Sequence, residues 1–115
     1  MIPAQELKAL AYALMQTPEY TQMLRERKKV MENAKLGRQM LSFEKEHAQL
    51  INLNFPATDM SARFKKLYQN YKEFLDDKDV QAFIAATRRY QSLISDCITQ
   101  LNRLLDINNS GMKPR

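Results

Sequence analysis

The sequence predicts an all-α protein, an antiparallel helical bundle of about five helices with a long C-terminal helix. Three stretches repeat mostly apolar side chains at alternating spacings of three and four, which places one per turn on a single helix face. Only 2 glycines and 4 prolines in 115 residues, with 44% hydrophobic residues, are also typical of a helical domain. The stretches are Leu36, Met40, Phe43, His47, Leu50; Met60, Phe64, Leu67, Tyr71, Phe74; and Val80, Phe83, Thr87, Tyr90, Ile94, Cys97, Leu101, Leu104.

The first two helices are separated by a restart signal. Pro3 opens the first helix, which ends near Gln16. Thr17, Pro18 and Glu19 then begin the second helix: the threonine can cap free N–H groups, the proline needs no N–H there, and the carboxylate meets the positive end of the helix dipole.

The remaining helices are bounded by turn-forming residues. We expect a break near Asn33, with the third helix running to about Leu53 and tolerating Gly37 where packing requires it. The segment 55–59 is a turn, since Pro56 disfavours helical geometry at the preceding residue and Thr58 or Asp59 can cap the fourth helix. A second turn rich in capping oxygens, 76–79, precedes the last helix.

The last helix is expected to run from about Val80 to Ile107, roughly 42 Å at 1.5 Å per residue. The polar, turn-rich residues that follow predict a flexible tail. The length of the chain suits one domain. The sequence therefore predicts a single helical-bundle domain over 1–107 and a tail over 108–115.

Charge and cysteine content narrow the environment. The net charge of +5 could attract RNA, an acidic protein face or an anionic membrane surface, or could simply favour solubility. The single cysteine cannot form an internal disulfide, and the chain shows neither a secretory leader pattern nor the roughly 20 apolar residues that span a bilayer. We expect a cytoplasmic protein.

The residues that could carry chemistry are few. His47 is the only histidine and lies in an apolar stretch without other metal ligands at suitable spacing, so a half-buried or interface position with a satisfied hydrogen bond is favoured over a metal ligand or pH switch. Cys97 lies among apolar residues and is expected to pack rather than react. There is no nucleophile motif or phosphate loop. We expect no enzyme activity, cofactor or metal.

Basic clusters are the candidate functional features. They occur in the second helix, in the fourth (Arg63, Lys65 and Lys66) and in the middle of the last. Aligned on one face they would form an RNA-binding stripe, but acidic residues interrupt them, so a solvated face is favoured. The candidate partner surface consists of Arg25, Lys28 and Lys29 on the second helix and Arg88 and Arg89 on the last.

The order of these landmarks resembles the YlbF/YmcA family, helical regulators linked to competence and development in Gram-positive bacteria. The resemblance covers Ala4 to about Leu105. The matching positions are Leu10, Leu14, Thr17, Pro18, Glu19, Tyr20, Phe43, Gln49, Leu50, Val80, Phe83, Ile84, Ala86, Tyr90, Leu93 and Ile94.

The resemblance implies a non-catalytic regulator within a protein complex that acts on ribonuclease Y, and so on mRNA processing, competence, sporulation or biofilm formation. Its partners would be family-related subunits and ribonuclease Y itself. The chain departs from the family pattern between the third and fourth helices, where Asn54, Phe55 and Pro56 replace a Gly-containing acidic connection. Iron–sulfur clusters reported in complexes of some members need several thiolates, so with Cys97 alone we predict no cluster.

The abundance of apolar positions has a consequence for assembly. The long helices of a chain with 7 methionines carry more apolar surface than one bundle easily covers. We therefore expect a homo-oligomer, most simply a two-fold dimer.

A direct RNA-binding helical protein that uses the basic clusters is the alternative function.

Overall fold

The computed structural model describes residues 1–112, with side chains as far as Asp106. The described residues form no strand and contain six helices: α1 Ala4–Met15, α2 Pro18–Glu32, α3 Ala34–Leu53, α4 Ala57–Asn70, α5 Lys72–Leu75 and α6 Lys78–Met112. The predicted all-α class and long C-terminal helix are confirmed. Over the part of the chain described, no helix combines the length and apolarity needed to cross a membrane.

The α1–α2 junction has the predicted restart. The hydroxyl of Thr17 accepts a hydrogen bond from the backbone N–H of Tyr20 at 3.3 Å and donates one to the carbonyl of Leu14 at 2.7 Å. One side chain thus satisfies an orphan group at the end of α1 and another at the start of α2. Pro18 is the first residue of α2, where its missing N–H has no cost.

The predicted break between α2 and α3 lies at Asn33. Its side chain accepts a hydrogen bond from the N–H of Leu36 at 3.1 Å and caps α3. Gly37 follows in the first turn, and a Cβ atom there would lie 3.2 Å from the carbonyl oxygen of Met31. The close approach of the two helix ends therefore explains a glycine inside a helix.

The turn before α4 has a different cap from the one expected. The helix begins at Ala57, directly after Pro56, so Thr58 and Asp59 lie inside the first turn instead of capping it. The expectation of a cap at Thr58 or Asp59 is wrong, because the rigid proline starts the helix earlier. Asp59 still favours this end, since its carboxylate lies near the positive end of the dipole.

The expected cap before α6 is present at Asp77. Its carboxylate accepts hydrogen bonds from the N–H groups of Asp79, at 2.8 Å, and Val80, at 3.2 Å. The helix begins at Lys78 and continues to Met112, past the predicted end near Ile107. Residues 113–115 of the predicted tail lie outside the described residues. The division at 107 stays a prediction.

The predicted fourth helix is interrupted, which raises the number of helices above five. At Tyr71 the backbone leaves helical geometry, with φ −109° and ψ 19°, and the chain resumes as the single turn α5. The sequence gives no breaker there, since the apolar repeat continues through Tyr71 to Phe74. The interruption coincides with a tertiary contact of the Tyr71 side chain, whose hydroxyl donates a hydrogen bond to Glu46 on α3.

The chain divides into two compact units. The central unit, residues 24–85, has a core of buried side chains drawn from α2, α3, α5 and α6. Half-buried Phe43, Tyr71, Leu75, Phe83 and Ile84 pack against this core. The core consists of Val30, Leu36, Met40, Phe74 and Val80.

The terminal unit consists of residues 1–23 and the chain from Ala86 onward. In this unit the rings of Tyr20 and Tyr90 lie 5.2 Å apart, and Ala86 is buried. The helix α1 has no buried residue, and Leu7 and Leu10 on its apolar face are exposed. The apolar stretch of α6 is covered or half-covered as far as Cys97 and exposed beyond it, at Ile98, Leu101, Leu104 and Leu105.

Candidate functional site

Aromatic rings form the interface between α3 and α4. Phe43 lies at its centre, with ring centroids 5.8 Å from His47, 6.1 Å from Tyr68 and 5.3 Å from Tyr71. The ring centroids of His47 and Phe64 lie 5.2 Å apart. The half-buried position predicted for His47 is confirmed. Within the described residues the imidazole of His47 makes ring contacts and no hydrogen bond, so the expected side-chain hydrogen bond is wrong.

The hydroxyl of Tyr71 couples the α4–α5 junction to α3 by donating a hydrogen bond to the carboxylate of Glu46. This hydrogen bond, together with burial and the negative charge of Glu46, raises the pKa of Tyr71 above its ordinary value of 10.0. The native state therefore favours the protonated phenol more strongly than the unfolded chain does.

This hydrogen bond predicts a loss of stability at alkaline pH. Its contribution is complete below the unfolded pKa and disappears as the pH rises through the raised folded pKa. We expect Tyr71→Phe to lower the free energy of unfolding by about 1 kcal/mol at neutral pH, because Glu46 is exposed and screened. Urea unfolding from about pH 8 to about pH 11 should show the difference between the two proteins shrinking. A difference independent of pH would contradict the assignment.

The thiol of Cys97 is free and half-buried on α6. The side chain of Cys97 is partly covered, as the sequence predicts, but it is not fully buried in a core. Among the residues that the structure describes, no group of three or more His, Cys, Asp or Glu side chains is placed to hold a metal ion.

The candidate partner surface lies in two places. Arg25, Lys28 and Lys29 are exposed on α2 in the central unit, at a spacing that shares one helix face. Lys29 is 3.5 Å from the carboxylate of Glu26. The other two residues, Arg88 and Arg89, are exposed on α6 in the terminal unit.

Arg27, which lies in the same basic run of α2, has a structural role. Its guanidinium makes two hydrogen bonds to the carboxylate of Glu44 on α3, at 2.6 and 3.1 Å, and lies 5.9 Å from the ring centroid of Phe83 on α6. A bidentate pair is the strong form of an arginine–carboxylate contact. The sequence alone does not distinguish Arg27, which is engaged in this contact, from the exposed basic residues beside it.

A further cationic site lies on α4 and was not among the candidate surface residues. The guanidinium of Arg63 lies over the ring of Phe55, 3.7 Å from its centroid. Arg63 and Lys66 line an open groove of about 240 Å³ between α3 and α4, which we term the α3–α4 groove. Leu50, Leu53 and Leu67 supply its apolar lining. In the sequence, only the basic run of α4 pointed to this cationic site. The contact between Arg63 and Phe55 could not be predicted, because the position of Phe55 depends on the turn before α4.

A family model described as control of the competence regulator ComK, YlbF/YmcA, matches residues 4–106. The matched range begins at the start of α1 and ends where the described side chains end. No curated protein and no solved structure matches the chain.

Proposed function

Because the chain belongs to the YlbF/YmcA family of proteins that control the competence regulator ComK, we propose that it is a non-catalytic regulator that acts through protein contacts. In this proposal it joins a cytoplasmic complex of family-related subunits that modulates ribonuclease Y-dependent mRNA processing, and through it competence, sporulation or biofilm formation. The family match supports the regulatory role. The ribonuclease Y complex and its downstream processes are implied by the sequence resemblance.

The observation that carries the contact mechanism is the pair Arg88 and Arg89. Both side chains are exposed, and within the described residues neither forms an ion pair or hydrogen bond. Two adjacent arginines without carboxylate partners concentrate positive charge on one stretch of α6. Such charge steers association with an acidic face and sets partner specificity.

The proposal includes a homodimer formed through the terminal unit. The helix α1 has 12 residues and none is buried, whereas helices of this length are marginal in water without packing. The exposed leucines of α1 and of the end of α6 are apolar surface that a second copy would cover. A two-fold arrangement would bring the same face of each copy together.

Reversing the charge of both arginines tests the contact mechanism. We expect Arg88→Glu with Arg89→Glu to weaken binding of the native protein partner at least about tenfold, because complementary charges become repulsive. Helical content and melting temperature should change little, since exposed substitutions usually alter stability by less than about 0.5 kcal/mol. Affinity purification from the native host followed by titration with the recovered partner measures the effect.

The matched control is Lys35→Glu with Arg38→Glu, an equal charge change at exposed positions of α3. It should leave partner binding unchanged. Direct RNA binding gives a different result: affinity for single-stranded RNA that collapses between about 50 and 200 mM salt, with no protein partner recovered, would contradict the regulator.

A further inference from the structure

The α3–α4 groove has walls of different chemistry. Each helix contributes a complete face, because its lining residues follow the spacing i, i+3, i+4 and i+7. On the α4 wall are Arg63 and Lys66, and on the α3 wall is Glu46, whose carboxylate accepts the hydrogen bond of Tyr71. The groove is therefore cationic along one edge and acidic on the other.

Arg63 is held ready for an anion. The guanidinium carbon lies 3.7 Å from the ring centroid of Phe55, so the ring covers one flat face of the group. The N–H donors of a guanidinium lie in its plane and are therefore not used by this contact. Within the described residues these donors form no hydrogen bond or ion pair. A guanidinium positioned in this way matches the two oxygens of a carboxylate and loses little rotamer freedom on binding.

The apolar lining distinguishes between the possible anionic partners. Leu53 is 59% exposed and Leu50 is half-buried, so a ligand that fills the groove must offer apolar groups beside its negative charge. The phosphates of RNA would lie against leucines and face the carboxylate of Glu46. An amphipathic helix with leucines on one face and carboxylates along one edge satisfies both features.

We propose that the α3–α4 groove binds an acidic amphipathic helix of a partner protein, with a carboxylate of that helix held by Arg63 and its apolar face on Leu50 and Leu53. The proposal rests on the proposed regulatory role, to which it adds the class of partner segment. It also assigns a role to the turn formed by Asn54, Phe55 and Pro56, which departs from the family pattern. Asn54, with φ 54°, and Pro56 shape the turn that carries Phe55, the platform for Arg63.

The probe is a synthetic helical peptide of about 15 residues with leucines along one face and glutamates along one edge. A control peptide has lysine at every glutamate position. Isotope-labelled protein is titrated with each peptide while backbone amide shifts are followed. We expect the glutamate peptide to perturb residues of the α3–α4 groove and the lysine peptide to leave them unchanged.

Three variants separate a specific site from general attraction. Arg63→Glu should weaken peptide binding at least about tenfold, since a charge-assisted bidentate contact is lost. Phe55→Leu keeps the charge but removes the platform, and should weaken binding several-fold with helical content unchanged. Lys65→Glu makes the same charge change as Arg63→Glu on the same helix, outside the groove, and should alter affinity less than about twofold.

Several results would overturn the proposal. These are equal losses from Lys65→Glu and Arg63→Glu, equal binding of the lysine peptide, shifts outside the groove, or none at about 1 mM peptide. An oligouridylate that shifts the groove amides while the glutamate peptide does not would assign the site to RNA. If the peptide fails but the native partner still depends on Arg88 and Arg89, the groove proposal is wrong and the proposed function stands.

Discussion

Replacing Phe74 with alanine is expected to lower the free energy of unfolding by about 3–5 kcal/mol. The side chain is 3% exposed and belongs to the buried cluster of the central unit. It lies on α5, a single turn of four residues whose own helical stability is negligible. Losing its ring would leave a cavity and detach that turn from the core. Denaturant unfolding followed by circular dichroism measures the loss.

Phe83 provides the comparison for this prediction. The apolar repeat assigns both rings to the core, but the structure leaves Phe83 half-buried. We therefore expect Phe83→Ala to cost clearly less than Phe74→Ala, since less apolar surface is lost from the interior. A loss at Phe83 equal to or greater than that at Phe74 would contradict the packing of the central unit.

Glutamate at two leucines of α6 is expected to convert an oligomer into a monomer. Leu101 and Leu104 are 51% and 60% exposed in a single chain. Covering the exposed part of each leucine contributes about 1 kcal/mol per copy, whereas burying an unpaired carboxylate costs several times that. Light scattering at tens of micromolar should give about twice the chain mass for the wild-type protein and the single mass for Leu101→Glu with Leu104→Glu.

The control for assembly is Leu41→Glu on α3. Leu41 is also exposed, at 52%, but it belongs to the central unit, whereas the exposed leucines of α6 belong to the terminal unit. This variant should keep the mass of the wild-type protein. The proposed homodimer would be contradicted by a wild-type protein that is strictly monomeric at that concentration. It would also be contradicted by a Leu41→Glu variant that dissociates as much as the α6 variant does.

Helix faces and helix starts follow from local rules. The stretch from Leu36 to Leu50 is buried or half-buried at every predicted position, because a period near 3.6 residues fixes which side chains share a face. Thr17 caps α2 as expected and Asn33 lies at the expected break, where its side chain caps α3, because a cap bonds to backbone groups within three residues. Interactions of this range depend on neighbouring residues and can be predicted from the chain alone.

The tertiary structure decided which members of each pattern are covered and which charges are engaged. The repeat of α6 continues unchanged through Leu104, but its side chains are exposed beyond Cys97. Arg27 and Arg63 look like other basic residues in the sequence. One reaches Glu44 and the other Phe55 because separate segments are brought within a few ångströms. Contacts across such sequence distances depend on how helices pack, which no local pattern encodes.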